Sequence, residues 1–178
     1  MNRNELKIKF DDIPPEGLDV AFVDKKGDLI RDVFSIQRPI KAKVFLQRWG
    51  VAVKVTGEVE TELLLPCDRC LEPFSFPVSE RINVLLEPLA TLSRFKEEVR
   101  LTKEDLDVIF FDGETIEVDE IVREQILLAV PMRQLCHEGC QGLCPVCGQN
   151  LNVAKCSCKR EVKDSPFAIL KKLVVSSR

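Results

Sequence analysis

Eight cysteines, most of them in close pairs, constrain this chain more than any other feature of its sequence. Six fall in the stretch Cys136–Cys158, at Cys136, Cys140, Cys144, Cys147, Cys156 and Cys158. The other two, Cys67 and Cys70, form a separate Cys-x2-Cys far upstream. Thiols in this pattern suit two tetrahedral sites of four sulfurs each. The sharpest local signal is Cys144-Pro145-Val146-Cys147-Gly148. In a metal knuckle the amides two and three residues beyond the first cysteine turn inward toward its sulfur. Pro145 fills the one loop position where a missing N–H is harmless, and its fixed φ stiffens the turn. Gly148 follows the second cysteine, where the chain often needs a positive φ. The spacing predicts two structural zinc ions.

Other uses of cysteine fit less well. Disulfides need an oxidising compartment, yet the opening residues MNRNELKIKF lack the apolar core of a signal peptide. A thioredoxin-like pair opens a helix after a strand. Here Cys67-Asp68-Arg69-Cys70 runs into Leu71-Glu72-Pro73, and the proline argues against a helix of any length. Two partitions of the thiols stay open. In one, Cys144, Cys147, Cys156 and Cys158 share an ion, leaving Cys136 and Cys140 to meet Cys67 and Cys70. In the other, Cys136, Cys140, Cys144 and Cys147 form one site, and Cys156 and Cys158 meet the upstream pair. The first closes the shorter loop at lower entropic cost.

The rest of the sequence describes a folded β-rich chain. Its 178 residues can bury a core of their own, and 45% hydrophobic with 31% charged residues argues against wholesale disorder. No apolar run approaches the length of a membrane span, Ile126–Val130 being far too short, so the cytoplasm is the expected location. Ile40, Ala42, Val44 and Leu46 alternate with Lys41, Lys43, Phe45 and Gln47, and Val51, Val53, Val55 and Val59 resume that period beyond Trp49-Gly50. This predicts a long hairpin delivering Cys67 and Cys70 at a strand end. Met1–Phe10, Leu18–Val23 and Phe74–Leu86 read as further strands, with Pro77 marking an edge or bulge. Leu106–Phe111 and Thr115–Val118 read as a hairpin about Asp112-Gly113. Asp119 is the expected N-cap of a helix through Ala129, ended by Pro131. A last helix is expected over Phe167–Val175. The fold class is α+β: an antiparallel sheet packed by one or two helices, with a cysteine-rich zinc-binding C-terminal segment. Residues 1–131 form the β-rich core and 132–178 the zinc-binding segment and C-terminal helix, packed together as one unit.

Chemistry beyond metal binding is sparse. Four thiolates fill a tetrahedral shell, whereas a catalytic zinc keeps a position open. The single histidine, His137, reads as an exposed loop residue beside the cluster. No nucleophile elbow, phosphate loop or spaced carboxylate cluster is present, so the chain reads as no enzyme. Charge is uneven: residues 1–130 carry 18 basic and 26 acidic residues, residues 131–178 carry 8 and 3. Lys155, Lys159, Arg160 and Lys163 surround the last cysteine pair. They read either as a solvated loop balancing two anionic thiolate clusters or as a small patch contacting nucleic-acid phosphates.

The sequence also resembles a known family, the YceD-like proteins, or large ribosomal RNA subunit accumulation proteins. The matching residues are Cys67-Asp68-Arg69-Cys70-Leu71, the run Glu124–Pro131, Cys140–Asn152 with its Cys-Pro-x-Cys-Gly, and Asp164–Leu173. The resemblance covers about residues 35–178. It implies a bacterial or plastid factor in ribosome biogenesis, supporting accumulation or processing of large-subunit (23S) ribosomal RNA. Its implied partner is that RNA or a large-subunit ribosomal protein, and no catalytic residues carry over. The alternative from a different class is a zinc-dependent regulatory or redox-sensing module that binds a protein partner.

Overall fold

A computed structural model describes residues 6–94 and 108–158. In chain order the strands are β1 (Lys7–Lys9), β2 (Leu18–Asp24), β3 (Ser35–Trp49), β4 (Ala52–Pro66), β5 (Pro73–Pro88), β6 (Val108–Phe111) and β7 (Thr115–Glu117). The helix α1 (Val118–Ala129) follows β7 directly. Five strands form one sheet in the order β2-β3-β4-β5-β6, antiparallel except for β5–β6; β1 and β7 make a separate antiparallel pair. This is an α+β fold with a mainly antiparallel sheet, and the cysteine-rich segment follows the helix.

The two-residue alternation read in the sequence sets the register. Leu46 lies opposite Val55 and Ala42 opposite Val59, so their side chains share one buried face. On β5, Val78, Ile82 and Leu86 continue that face, and α1 covers it with Val118, Ile121, Val122 and Ile126. Pro77 sits where β5 has only β4 beside it, because β6 pairs solely with Leu85–Pro88. A proline is tolerated on a stretch with one open side, as expected of an edge position. Buried Asp24 is satisfied by the loop it begins: its carboxylate accepts from the amides of Lys26, Gly27 and Leu29 at 3.0 Å.

Three expectations are corrected. First, β6 and β7 do not form a hairpin. The Asp112 carboxylate accepts from the amides of Glu114 (2.8 Å) and Thr115 (2.9 Å), so the turn bends the chain away. β7 then pairs with β1, reinforced by the Lys7–Glu117 ion pair, while β6 lies parallel to β5. Second, Asp119 does not cap α1. The helix begins one residue before it, straight out of β7, and Asp119 is buried in the first turn. There its Oδ1 is buried without a hydrogen-bond partner among the described residues. Third, the opening strand stops at Lys9, where Phe10–Asp12 coil into a single 3-10 turn. Positions 1–5 of that expected strand, and the whole of the expected helix Phe167–Val175, lie outside the described residues.

Candidate metal centres

The connection between β4 and β5 is only Cys67–Glu72, so its conformation is dictated by two long strands. Within it the Leu71 amide donates to the Cys67 carbonyl (2.9 Å) and the Cys67 amide to the Glu72 carbonyl (3.0 Å). Leu71 adopts φ 62°, the one non-glycine residue with positive φ among those described. Beyond α1 the chain returns to this turn. The Asp68 amide donates to the Gln134 carbonyl (2.8 Å), and the Asp68 carboxylate accepts from the Gln134 amide (2.6 Å). That reciprocal pair sets Cys136 and Cys140 against Cys67 and Cys70.

The four sulfurs of Cys67, Cys70, Cys136 and Cys140 lie within 4.8 Å of one another. Cys67–Cys140 and Cys70–Cys136 are each separated by 3.8 Å. A disulfide would bring sulfurs to about 2.05 Å. A tetrahedron of sulfurs about 2.3 Å from a zinc ion has edges of about 3.8 Å. The residues therefore fit a four-coordinate metal. Phe74 and Leu135 pack against this group, and all but Cys136 are buried.

Cys144, Cys147, Cys156 and Cys158 form a second group, again within 4.8 Å. The Gly148 amide donates to the Cys144 carbonyl (2.9 Å), the Cys144 amide to the Gln149 carbonyl (2.8 Å), and the Val146 amide to the Cys144 sulfur (3.4 Å). Gly148 has φ 74°, as the knuckle requires. Cys147 and Cys158 are exposed, so this group is the more peripheral. The grouping follows the shorter loop closure.

The thiols are electrostatically inequivalent. Burial opposes ionisation of Cys67, but the amides of Cys70, Cys136 and Arg69 outweigh it and bring the pKa to about 6. At Cys144 the amides of Cys147 and Val146 act in the same sense, again to about 6. Burial and then the neighbouring thiols push Cys136 up to about 12; at Cys158 the Cys147 thiol leads and burial adds, also to about 12. A cation entering either group displaces the proton of its reluctant thiol, Cys136 in the first and Cys158 in the second, and relieves repulsion among the thiolates.

Residues that sequence reasoning did not single out hold the centres in place. The Arg69 guanidinium donates to the carbonyls of Cys140 (2.8 Å) and Glu138 (3.3 Å), and its own carbonyl accepts from the Leu143 amide (3.1 Å). Asn152 donates from Nδ2 to the Cys140 sulfur at 3.3 Å. A signal for both was present: a basic residue inside one knuckle, and Asn150-x-Asn152 in a turn between cysteine pairs. His137 is exposed and belongs to neither group. It lines an open groove with Gln141, Asn152 and exposed Lys155. Lys159, Arg160 and Lys163 lie outside the described residues.

A β-sheet carrying two four-thiol groups at its end defines a class of metal-binding-competent scaffold, and comparison with known proteins narrows it. The family model for "Large ribosomal RNA subunit accumulation protein YceD" matches residues 55–174. The chain belongs to the YceD family. It is similar to Large ribosomal RNA subunit accumulation protein YCED homolog 1, chloroplastic, of Arabidopsis thaliana, with 29% identity over 156 residues (74% of this chain, 47% of that protein). The Zea mays protein of the same name is 27% identical over 143 residues (68% and 49%). YlbN of Bacillus subtilis (strain 168) is 30% identical over 139 residues (76% and 74%). The chain thus spans about half the length of the plant relatives. No solved structure matches it. Among the described residues no helix is long and apolar enough to cross a membrane.

Proposed function

We propose that this chain is a non-enzymatic factor supporting the accumulation and processing of large-subunit (23S) ribosomal RNA, built around two structural zinc ions. One ion is held by Cys67, Cys70, Cys136 and Cys140, the other by Cys144, Cys147, Cys156 and Cys158. The observation carrying the metal reading is the pair of all-thiol groups, each with its four sulfurs within 4.8 Å of one another, the first with two sulfur separations of 3.8 Å, the edge of a zinc–sulfur tetrahedron. Four thiolates saturate such an ion, which favours a structural over a hydrolytic role. Bound zinc would cross-link the β4–β5 turn to the chain beyond α1, making residues 1–131 and 132–178 one unit. The Asp68–Gln134 and Arg69–Cys140 hydrogen bonds support that packing.

The ribosomal reading rests on family membership over residues 55–174. Its partner is large-subunit ribosomal RNA or a protein bound to it. Lys155, Lys159, Arg160 and Lys163 are the proposed phosphate contacts, supported by the excess of basic residues in 131–178 and the exposure of Lys155 beside its groove. Co-sedimentation tests the reading. The tagged chain should travel with large-subunit precursors in a sucrose gradient, and its depletion should lower large-subunit relative to small-subunit ribosomal RNA. A chain found only in the free fractions, with the RNA ratio unchanged on depletion, would overturn it in favour of a metal- or oxidant-responsive regulator.

A further inference from the structure

We propose that Asn152 is a positioning residue that couples the two four-thiol centres, so that an ion in either one raises the affinity of the other. The inference rests on the zinc reading above and adds a thermodynamic link that the pairing of cysteines does not itself require.

Asn152 lies between Cys147 and Cys156, in the loop that closes the second centre. Its side chain nevertheless serves the first. Nδ2 donates to the Cys140 sulfur (3.3 Å) and to Asn150 Oδ1 (2.9 Å), while Oδ1 accepts from the Gln141 amide (2.8 Å). The reversed amide orientation would set two donors face to face at Gln141 and an acceptor against the sulfur, so the network admits one orientation only. Asn150 Oδ1 accepts from the Asn152 backbone amide as well (3.0 Å), which locks the turn carrying this side chain. A donor aimed at a ligating sulfur stabilises its charge and holds it in the coordination sphere.

The backbone supports the same link. The Leu151 amide donates to the Gly142 carbonyl (2.9 Å), so the loop of the second centre is pinned to the short segment joining Cys140 to Cys144. Gly142 has φ 75°, and a Cβ there would lie 3.0 Å from the Arg69 carbonyl, inside the first centre's own turn. An ion in the second centre fixes the chain from Cys144 to Cys158 and thereby presents the Asn152 donor to Cys140. Linkage makes the effect reciprocal: each ion raises the other's affinity by the same factor.

The test uses the full reduced chain loaded with zinc and titrated with a competing chelator, and a second sample loaded with cadmium-113 for NMR. Asn152→Ala should lower the first centre's affinity by about 10- to 100-fold, the range for loss of an outer-sphere partner. Its cadmium resonance should move while that of the second centre stays, the latter also showing that the loop is folded. Asn152→Asp keeps the acceptor for Gln141 but replaces the donor with a charge beside thiolates, and should lose at least as much. Removing the second centre by Cys147→Ser with Cys158→Ser should weaken the first in the natural chain, and weaken it by a smaller factor in the Asn152→Ala background, where only the backbone link remains. An unchanged first-centre affinity in both Asn152 variants would overturn the proposal. So would an undiminished effect of second-centre removal once Asn152 is gone. A natural chain that bound neither metal would instead remove the zinc reading on which the inference stands.

Discussion

Leu71 and Gly148 occupy the same place in two copies of one turn. Each follows the second cysteine of a Cys-x2-Cys, each has positive φ (62° and 74°), and each amide donates to the carbonyl of the first cysteine at 2.9 Å. The bonds of wider sequence span match too, the Cys67 amide donating to the Glu72 carbonyl and the Cys144 amide to the Gln149 carbonyl. The left-handed region costs an ordinary L residue about 1–2 kcal/mol and glycine almost nothing. Leu71 therefore carries strain that Gly148 avoids, while 65% of its surface is exposed. Leu71→Gly should leave the unfolding free energy within about 1 kcal/mol of the natural chain, since relief of strain offsets the freer unfolded state. Gly148→Leu should cost about 1–2 kcal/mol. Denaturation of the metal-loaded protein measures both; equal losses at the two positions would break the equivalence.

Gly57 is fixed by a different constraint. It sits inside β4 opposite Val44, where a Cβ would stand 2.2 Å from the Lys43 carbonyl and 2.9 Å from the Val44 Cα. Alanine would ordinarily suit a strand better than glycine. Here the collision is with backbone, so Gly57→Ala should destabilise by on the order of 3 kcal/mol, within the range of severe overpacking. A urea midpoint unchanged from the natural chain would show that β3 and β4 separate more easily than the register implies.

Arg123 ties the helix to the loop after β2. It donates to both carboxylate oxygens of Asp32 at 2.7 Å and to the Leu29 carbonyl, with its side chain mostly buried. A planar fork makes these bonds and an ammonium cannot. Arg123→Ala should cost about 1.5–3 kcal/mol, and Arg123→Lys should recover less than half of that. Full recovery by lysine in thermal or urea denaturation would mean that charge alone holds the loop.

What the sequence disclosed follows from the range of the interactions. The β3–β4 hairpin was legible because Ile40, Ala42, Val44 and Leu46 repeat with the period of the strand itself. The knuckle at Cys144 was legible because proline and glycine mark its backbone residue by residue. The pairing of β7 with β1 was not, for Thr115–Glu117 and Lys7–Lys9 are far apart in the chain and each is very short. Nothing local distinguishes that partner from β6. Leu71 conceals its φ because leucine gives no hint of a left-handed site. Asn152 looked like a turn former, and only the return of the chain against Cys140 gives its amide a second use.

The proposed phosphate patch has an ionic signature. Four cations displacing condensed counterions give a log–log salt slope no steeper than about −3 to −4 for RNA binding. Replacing Lys155, Lys159, Arg160 and Lys163 with glutamine should flatten that slope and weaken binding while leaving metal content intact. Unaltered binding of large-subunit RNA precursors would place the contact elsewhere in the complex.

The central claim is that eight thiols hold two ions, divided as the structure divides them. Elemental analysis of the reduced, tag-free protein, paired with alkylation of accessible thiols, tests it most directly. About two zinc ions per chain are expected. The Cys144→Ser with Cys147→Ser variant should keep about one ion, with Cys67 still protected from alkylation. One ion or none in the natural chain, or a Cys67 that becomes reactive when Cys144 and Cys147 are lost, would contradict it.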